Sequence, residues 1–242
     1  MSSQQLAEKM VSWIRKRVHA AGCEGVVLGL SGGLDSAVLA ALCHRAFPRN
    51  MLAVIMPCGS LQEDKDHAQL VASAFSLPTR EVVLDGVLEN LAQSLPALPV
   101  DPSKYRQARG NLKVRLRMVV LYYIANQLNY LVVGSSNRSE YMVGYFTKYG
   151  DGGADILPLA NLVKRQVREL AVHLGIPQVI IDKPPSAGLW EGQTDEGELG
   201  FGYDELDHYL LTGEAPEKLK NRIESMIASS AHKRSLPPIA RF

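Results

Sequence analysis

Apolar residues recur at helical spacing over residues 3–20, where Leu6, Met10, Trp13, Ile14 and Val18 share one face and polar residues fill the rest. Gly22 and Gly25 end that stripe, and the pattern then changes. Residues 26–30 are short and continuously apolar, which predicts a strand covered on both faces. Residues 36–47 predict an Ala- and Leu-rich helix stopped by Pro48. A second buried strand is expected at 51–56, a helix at 63–75 and a short strand at 81–84. Residues 103–128 read as one long helix and 130–133 as a fourth strand ending at Gly134. Further helices are expected at 162–174, 203–211 and, more polar, 216–230.

Strands that alternate with helices imply right-handed crossovers and a parallel sheet. The expected class is therefore α/β: a doubly wound, mostly parallel sheet of about five strands with helices on both faces, in a single domain over residues 1–242. Ligands of such sheets bind beyond the carboxyl ends of the strands. That directs attention to the loops after Leu30, Met56, Leu84 and Val133. Two Gly-rich segments without periodicity, 144–156 and 184–202, are too long for plain connections and are expected to be lids that order on binding.

Composition changes the picture only by exclusion. Apolar residues make up 46% and charged residues 21% of the 242, an ordinary globular balance. A formal net charge of +1 gives no field to draw the chain to nucleic acid or a membrane surface, so an anionic ligand must meet a local site. No apolar run approaches the roughly 20 residues that span a bilayer. The N-terminal stretch mixes charge with apolar residues, unlike a secretory signal. Cys23, Cys43 and Cys58 form no CxxC pair, which suits a reducing cytoplasm. Cys58 follows a strand, but no His/Asp arrangement accompanies it locally.

The loop after the first strand carries the chemistry. In GLSGGLDS, from Gly29 to Ser36, two glycines let the backbone turn tightly and aim several N–H groups at one anion. Ser31 and Ser36 add hydroxyls, and the following helix points its positive end at the same place. Asp35 is out of place beside an anion unless a cation lies between them, and Mg²⁺ takes such a set. A plain turn with Ser/Asp caps is the ordinary alternative. The string is neither GxxxxGK[ST] nor GxGxxG, so neither a kinase-like P-loop nor a dinucleotide fingerprint is present.

SGGLDS resembles the pyrophosphate-binding loop of the N-type ATP pyrophosphatases, which cleave ATP between its α and β phosphates. Within that superfamily the chain resembles the ammonia-dependent NAD⁺ synthetases. GYFTKYGDGGADILPLANLVKRQVREL from Gly144 carries the likeness, with SSNRSE from Ser135, KPPSAGLWEGQTDE from Lys183 and HKR from His232. The likeness runs from about residue 26 to residue 235. It implies an adenine nucleotide alpha hydrolase-like architecture and a ligase that amidates nicotinic acid adenine dinucleotide (deamido-NAD) at the expense of ATP.

The resemblance also implies residue roles. ATP would lie on Gly29, Leu30, Ser31, Gly32, Gly33, Leu34, Asp35 and Ser36, with Ser135, Lys164 and Ser186 and, by a looser match, Gln62. Ser135 and Ser186 stand where the family usually has Thr and keep the hydroxyl. Asp35 and Glu140 would ligate Mg²⁺, and Asp35 and Lys164 would be catalytic. Deamido-NAD would be met by Arg115, Lys148, Asp155, His232 and Lys233. Any of these charges alone would read as a solvated surface group; the motif strings raise them.

The implied reaction has two steps. The substrate carboxylate attacks the α phosphate, giving an acyl-adenylate and pyrophosphate, and ammonia then displaces AMP. Glutamine-dependent relatives carry a fused amidase domain, for which 242 residues leave no room. Free ammonia or a separate glutaminase is therefore expected. Family members are homodimers with the site near the interface. Leu112, Leu116, Val119, Val120 and Tyr123 on the long helix form an apolar stripe that could be that interface or ordinary core. A GMP synthetase core, a tRNA-modifying adenylase and a non-catalytic nucleotide-binding module are the competing readings. The neutral charge and scattered cysteines oppose the tRNA enzyme, and Asp35, Glu140 and Lys164 together oppose the inert module.

Overall fold

The computed structural model describes residues 1–96, 98–190 and 192–240. The chain opens with helix α1 (Ser3–Ala20), strand β1 (Gly25–Gly29), helix α2 (Leu34–Ala46), strand β2 (Met51–Ile55) and helix α3 (Gln62–Ala74). Strand β3 (Thr79–Glu81), helices α4 (Asp85–Ser94) and α5 (Pro102–Leu128) and strand β4 (Tyr130–Val132) follow. Six further helices complete it: α6 (Arg138–Val143), α7 (Lys164–Leu174), α8 (Gln178–Ile181), α9 (Asp195–Leu199), α10 (Tyr203–Thr212) and α11 (Glu217–Ser229), with 3₁₀ turns at Asp151–Gly153 and Ala231–Lys233.

The four strands form one parallel sheet in the order β3-β2-β1-β4. About five strands were expected. The fifth contribution is a single parallel bridge from Ile156 to Val133, because the Gly-rich chain reaching the sheet edge turns away at once. Alternation along β1 divides the core: Val26 and Leu28 pack with α1, α2, α3 and α7, whereas Val27 packs with α4 and α5 through Leu88, Met118, Leu121 and Ala125. Both faces are thus covered, as the continuous apolar run in β1 requires. A smaller cluster of Val143, Leu199, Phe201, Leu206 and Ile223 joins α6, α9, α10 and α11.

Several boundaries differ from the sequence reading. The third strand pairs at 79–81 rather than 81–84. Val82 and Leu84 still donate to Ile55 and Pro57, but the chain is already bending away and Val83 faces solvent. Helices α4, α6, α8 and α9 were not expected; α6 starts from an Asn137–Glu140 capping box and α4 buries only Leu88. Helix α2 begins at Leu34, two residues early, since Gly33 is its extended N-cap. Cys43 and Cys58 are buried and Cys23 half-buried, all unpaired. Among the described residues no helix is long and apolar enough to cross a membrane.

Candidate active site

The strand order reverses between β1 and β4, so the loops leaving these two strands part and open a crevice. A cavity of about 650 Å³ occupies it. Its floor is the loop after β1. Gly32 has φ +79° and lies against α3, where a Cβ would stand 2.2 Å from the Asp64 carbonyl oxygen. Ser31 and Ser36 hydroxyls lie 3.0 Å apart, and Ser36 Oγ donates to the Gly33 carbonyl at 2.9 Å. These bonds shape the loop. No side chain caps the first turn of α2, so its free N–H groups remain available to an anion.

Asp35 sits inside that first turn rather than in the loop, and Glu140 sits in the first turn of α6. Both reach one cation: Lys164 Nζ lies 2.5 Å from Asp35 Oδ2 and 3.2 Å from Glu140 Oε1. Asn137 Nδ2 donates to the other Asp35 oxygen at 3.1 Å, so the residue that caps α6 also orients Asp35. Burial pulls the Lys164 ammonium down, but Asp35 and Glu140 more than reverse this and keep it charged. Burial pushes Glu140 up to about 7 against the opposing pull of Lys164.

Lys164 is held from behind. It opens α7, and its backbone N–H donates to Ser139 Oγ at 3.1 Å while Arg165 N–H donates to Asp207 Oδ2 at 2.7 Å. Asp207 is buried on α10, 43 residues from Lys164 in sequence, and caps α7 from outside it. Tyr203 Oη donates to Asp195 Oδ2 at 2.8 Å and lies 3.3 Å from Glu140 Oε1. Burial raises Tyr203, Tyr145 and Asp195 above their ordinary ranges, so both phenols keep their protons.

The opposite wall is cationic. Arg115 donates to the Lys148 carbonyl at 3.2 Å, Lys148 to the His232 carbonyl at 2.7 Å, and Lys233 to Gly144 and Phe146 at 2.8 and 2.9 Å. All four line the cavity, and burial lowers Lys233. Residues 184–190 and Gln193 form the roof. Lys183 Nζ pairs with Asp64 at 2.6 Å and lies 3.1 Å from His67 Nδ1, tying one end to α3. Lys113 Nζ donates to the Leu189 carbonyl at 2.8 Å, tying the other to α5, where Gly110 leaves room for Leu189 and Trp190.

Of the residues expected to bind ATP, Gly29, Leu30, Ser31, Gly33, Leu34, Asp35, Ser36, Ser135, Lys164 and Ser186 line the cavity. Gly32 shapes the loop from behind. Ser186 Oγ donates within the roof, to the Gln193 carbonyl at 2.8 Å. Gln62 is not brought there: its side chain donates to Asp66 at 2.8 Å on its own helix. Asp155 is not brought there either. Its two oxygens accept from Tyr122 Oη at 2.9 Å and from the Val132 amide at 2.8 Å, at the sheet edge. The apolar stripe of α5 divides: Leu112, Leu116 and Val120 pack on the core, whereas Val119 and Tyr123 are exposed. Sequence reasoning missed Asn137, Lys183, Asp195, Tyr203 and Asp207. Asp207 had a signal, an acid on the apolar stripe of Tyr203, Leu206 and Leu210.

Asp35 and Glu140 offer only hard oxygen donors and already share one cation, which fits Mg²⁺ completed by phosphate oxygens. Among the described residues no group of three or more acids, histidines or cysteines could hold a metal ion unaided.

Comparison with known proteins assigns the chain to a family. The chain is 49% identical over 237 residues to an NH₃-dependent NAD⁺ synthetase of Carboxydothermus hydrogenoformans, covering 98% of this chain and 97% of that one. An NMN synthetase structure from Francisella tularensis superposes with a TM-score of 0.92 at 38% identity, covering both chains fully. An NH₃-dependent NAD synthetase structure from Campylobacter jejuni, in complex with nitrate, gives 0.81 at 30% identity, again over both whole chains. The NAD synthase family model matches residues 6–237, and the chain belongs to that family.

Proposed function

We propose that the chain is an NH₃-dependent NAD⁺ synthetase, which adenylates the carboxylate of deamido-NAD with ATP and passes the acyl group to ammonia, releasing AMP and pyrophosphate. One observation carries the reading: a single cavity joins an uncapped helix N-terminus and the Asp35–Lys164–Glu140 cluster on one side to the Arg115, Lys148 and Lys233 wall on the other. The first side suits a triphosphate, the second an anionic dinucleotide.

The loop from Gly29 to Ser36 would seat the pyrophosphate portion of ATP through backbone N–H groups. Asp35 and Glu140 would hold Mg²⁺, which supplies charge neutralisation at the phosphates. Lys164, buried and charged, stabilises negative charge that develops at the α phosphate. Asn137 and Asp207 position Asp35 and Lys164. Ser135 and Ser186 offer hydroxyls to ATP, with Ser186 exchanging its bond within the roof. Arg115, Lys148, His232 and Lys233 orient the dinucleotide. Asp155 and Gln62 would reach a ligand only after leaving their present partners. The roof excludes water, which would otherwise hydrolyse the adenylate.

Val119 and Tyr123, exposed on α5, support a homodimer with the site near the interface. The protein would work as one domain in the cytoplasm, on free ammonia or with a separate glutaminase. The test is incubation with ATP, Mg²⁺, ammonium and deamido-NAD. Formation of NAD⁺ and AMP in equal amounts is expected, and no AMP would refute adenylation. The Francisella neighbour supports a second reading, in which the deamido form of NMN is the acceptor; its kcat/KM against that of deamido-NAD decides between them. Asp35→Asn should abolish turnover with an unchanged circular dichroism spectrum, and near-normal activity would remove Asp35 from the metal site.

A further inference from the structure

Asp195 opens α9 at the foot of the roof, where its backbone N–H donates to the Pro185 carbonyl at 3.2 Å. Only 4% of the residue is exposed, and it lines the cavity. Its Oδ2 is satisfied by Tyr203 Oη at 2.8 Å, but its Oδ1 is buried with no hydrogen-bond partner. A buried carboxylate oxygen without a donor is costly, and native structures tolerate one chiefly where a ligand completes it.

The surroundings define that ligand. It must donate hydrogen bonds, which excludes phosphate and carboxylate groups. Nearby protein donors are spent: Tyr145 Oη also neighbours Asp195, but its one proton goes to Glu198 Oε2 at 2.6 Å; Gln193 Nε2 donates to the same oxygen at 2.9 Å, and the Tyr203 proton goes to Asp195 itself. The phenol oxygens keep lone pairs. Asp35, Glu140, Asp195 and Glu198 share this part of the cavity lining with Lys164, which is already engaged by two of them. The excess of negative charge selects a cation over a neutral hydroxyl donor. A divalent ion is disfavoured at Asp195, which shares no cation with a second acid as Asp35 and Glu140 share Lys164. A small monovalent cation with N–H donors remains.

We propose that Asp195 Oδ1 is the docking point of the ammonium ion, the nitrogen donor, in a pocket completed by Tyr145 and Glu198. The inference rests on the synthetase reading above and names a subsite for its second step, in which ammonium gives one proton to the Asp195 carboxylate and the ammonia so formed bonds to the acyl carbon as AMP leaves. Because the roof carries Asp195 through Pro185, closing over the adenylate and presenting ammonium are one event.

Two experiments test it. The first compares wild type with Asp195→Asn, which keeps the Tyr203 bond and removes the charge. ATP–pyrophosphate exchange without ammonium chloride reports adenylation; NAD⁺ formation against ammonium chloride concentration reports nitrogen capture. The ammonium KM should rise about 10-fold to 100-fold, the worth of one charged hydrogen bond, while exchange and the KM values for ATP and deamido-NAD change far less. Excess ammonium should restore kcat, which a merely structural defect would not allow. An unchanged ammonium KM overturns the proposal, and so does a loss of exchange that matches the loss of amidation. The second uses wild-type crystals soaked in thallium(I) acetate and needs no variant. An anomalous peak in contact with Asp195 Oδ1, displaced by ammonium, is expected; no peak, or an adventitious ion only that ammonium fails to displace, overturns it. Absent exchange in wild type would instead refute the synthetase reading, and the thallium result would stand apart from it.

Discussion

Replacing Gly32 by alanine, beside the same change at Gly33, separates two roles within one loop. At Gly32 the backbone has φ +79°, a conformation that costs an alanine about 1–2 kcal/mol. Its Cβ would also stand 2.2 Å from the Asp64 carbonyl oxygen and 2.9 Å from His67 Cβ, so α3 must move. Displacing packed neighbours adds about 1–3 kcal/mol. The sum, about 2–5 kcal/mol, corresponds to a melting temperature lower by roughly 4–20 °C for a chain of this size. Gly33 has φ −90°, and its added Cβ would meet only Ser31 Oγ at 3.5 Å. Alanine there should change stability by less than about 1 kcal/mol, because the conformation is open to any residue. Thermal unfolding of the ligand-free variants, followed by circular dichroism, is the assay. If the two variants melt within about 2 °C of each other, α3 does not brace the loop and the reasoning fails.

Lys164→Met leaves Asp35 and Glu140 buried without their cation. A loss of about 3–5 kcal/mol is expected at pH 8, measured by urea unfolding, and a smaller loss at pH 5, where Glu140 holds a proton. In the wild type, Glu140 titrates near 7 when folded against 4.5 ordinarily, so the folded state holds a proton that the unfolded state has released. Its contribution to stability therefore falls as pH rises from about 4.5 to about 7, and Glu140→Gln should remove that part of the slope. Lys183→Met cuts the partly exposed pair with Asp64, at a cost of about 1 kcal/mol or less. Its larger effect should be faster protease cleavage within 184–193; an unchanged cleavage rate would show that Lys113 alone holds the roof.

The fold was legible wherever one segment decides its own state. The apolar run of β1 and the stripe of α1 needed no partner to be read, and both stand within a residue or so of expectation. The third strand slipped because hydrophobicity marks where side chains are buried, whereas pairing with Ala53–Ile55 decides where the ladder lies. At the site, the loop and the motif strings singled out Asp35, Glu140 and Lys164, which the fold brings together. They could not show that one ammonium bridges both acids, since 129 residues separate Lys164 from Asp35. Asp195 acts through contacts between elements and belongs to no periodic pattern, whereas Asp207 stands on the apolar stripe of α10, which marks its burial but not its partners on α7. Asp155 shows the opposite case: its string carries the family likeness, and its carboxylate is occupied by the sheet.

That occupation bears on how the chain avoids its own kind. β4 is an outer strand, and Val132 turns both its amide and its carbonyl away from β1. Left open, such groups are a template on which a strand from another molecule can grow. Asp155 takes the amide through its carboxylate, and its own backbone N–H fills the carbonyl at 3.0 Å. One residue thereby terminates hydrogen bonding laterally, with a charge placed where an incoming strand would have to lie. The glycines before it let the chain arrive at that edge, and the consequence of sealing it is a sheet that stops at four strands.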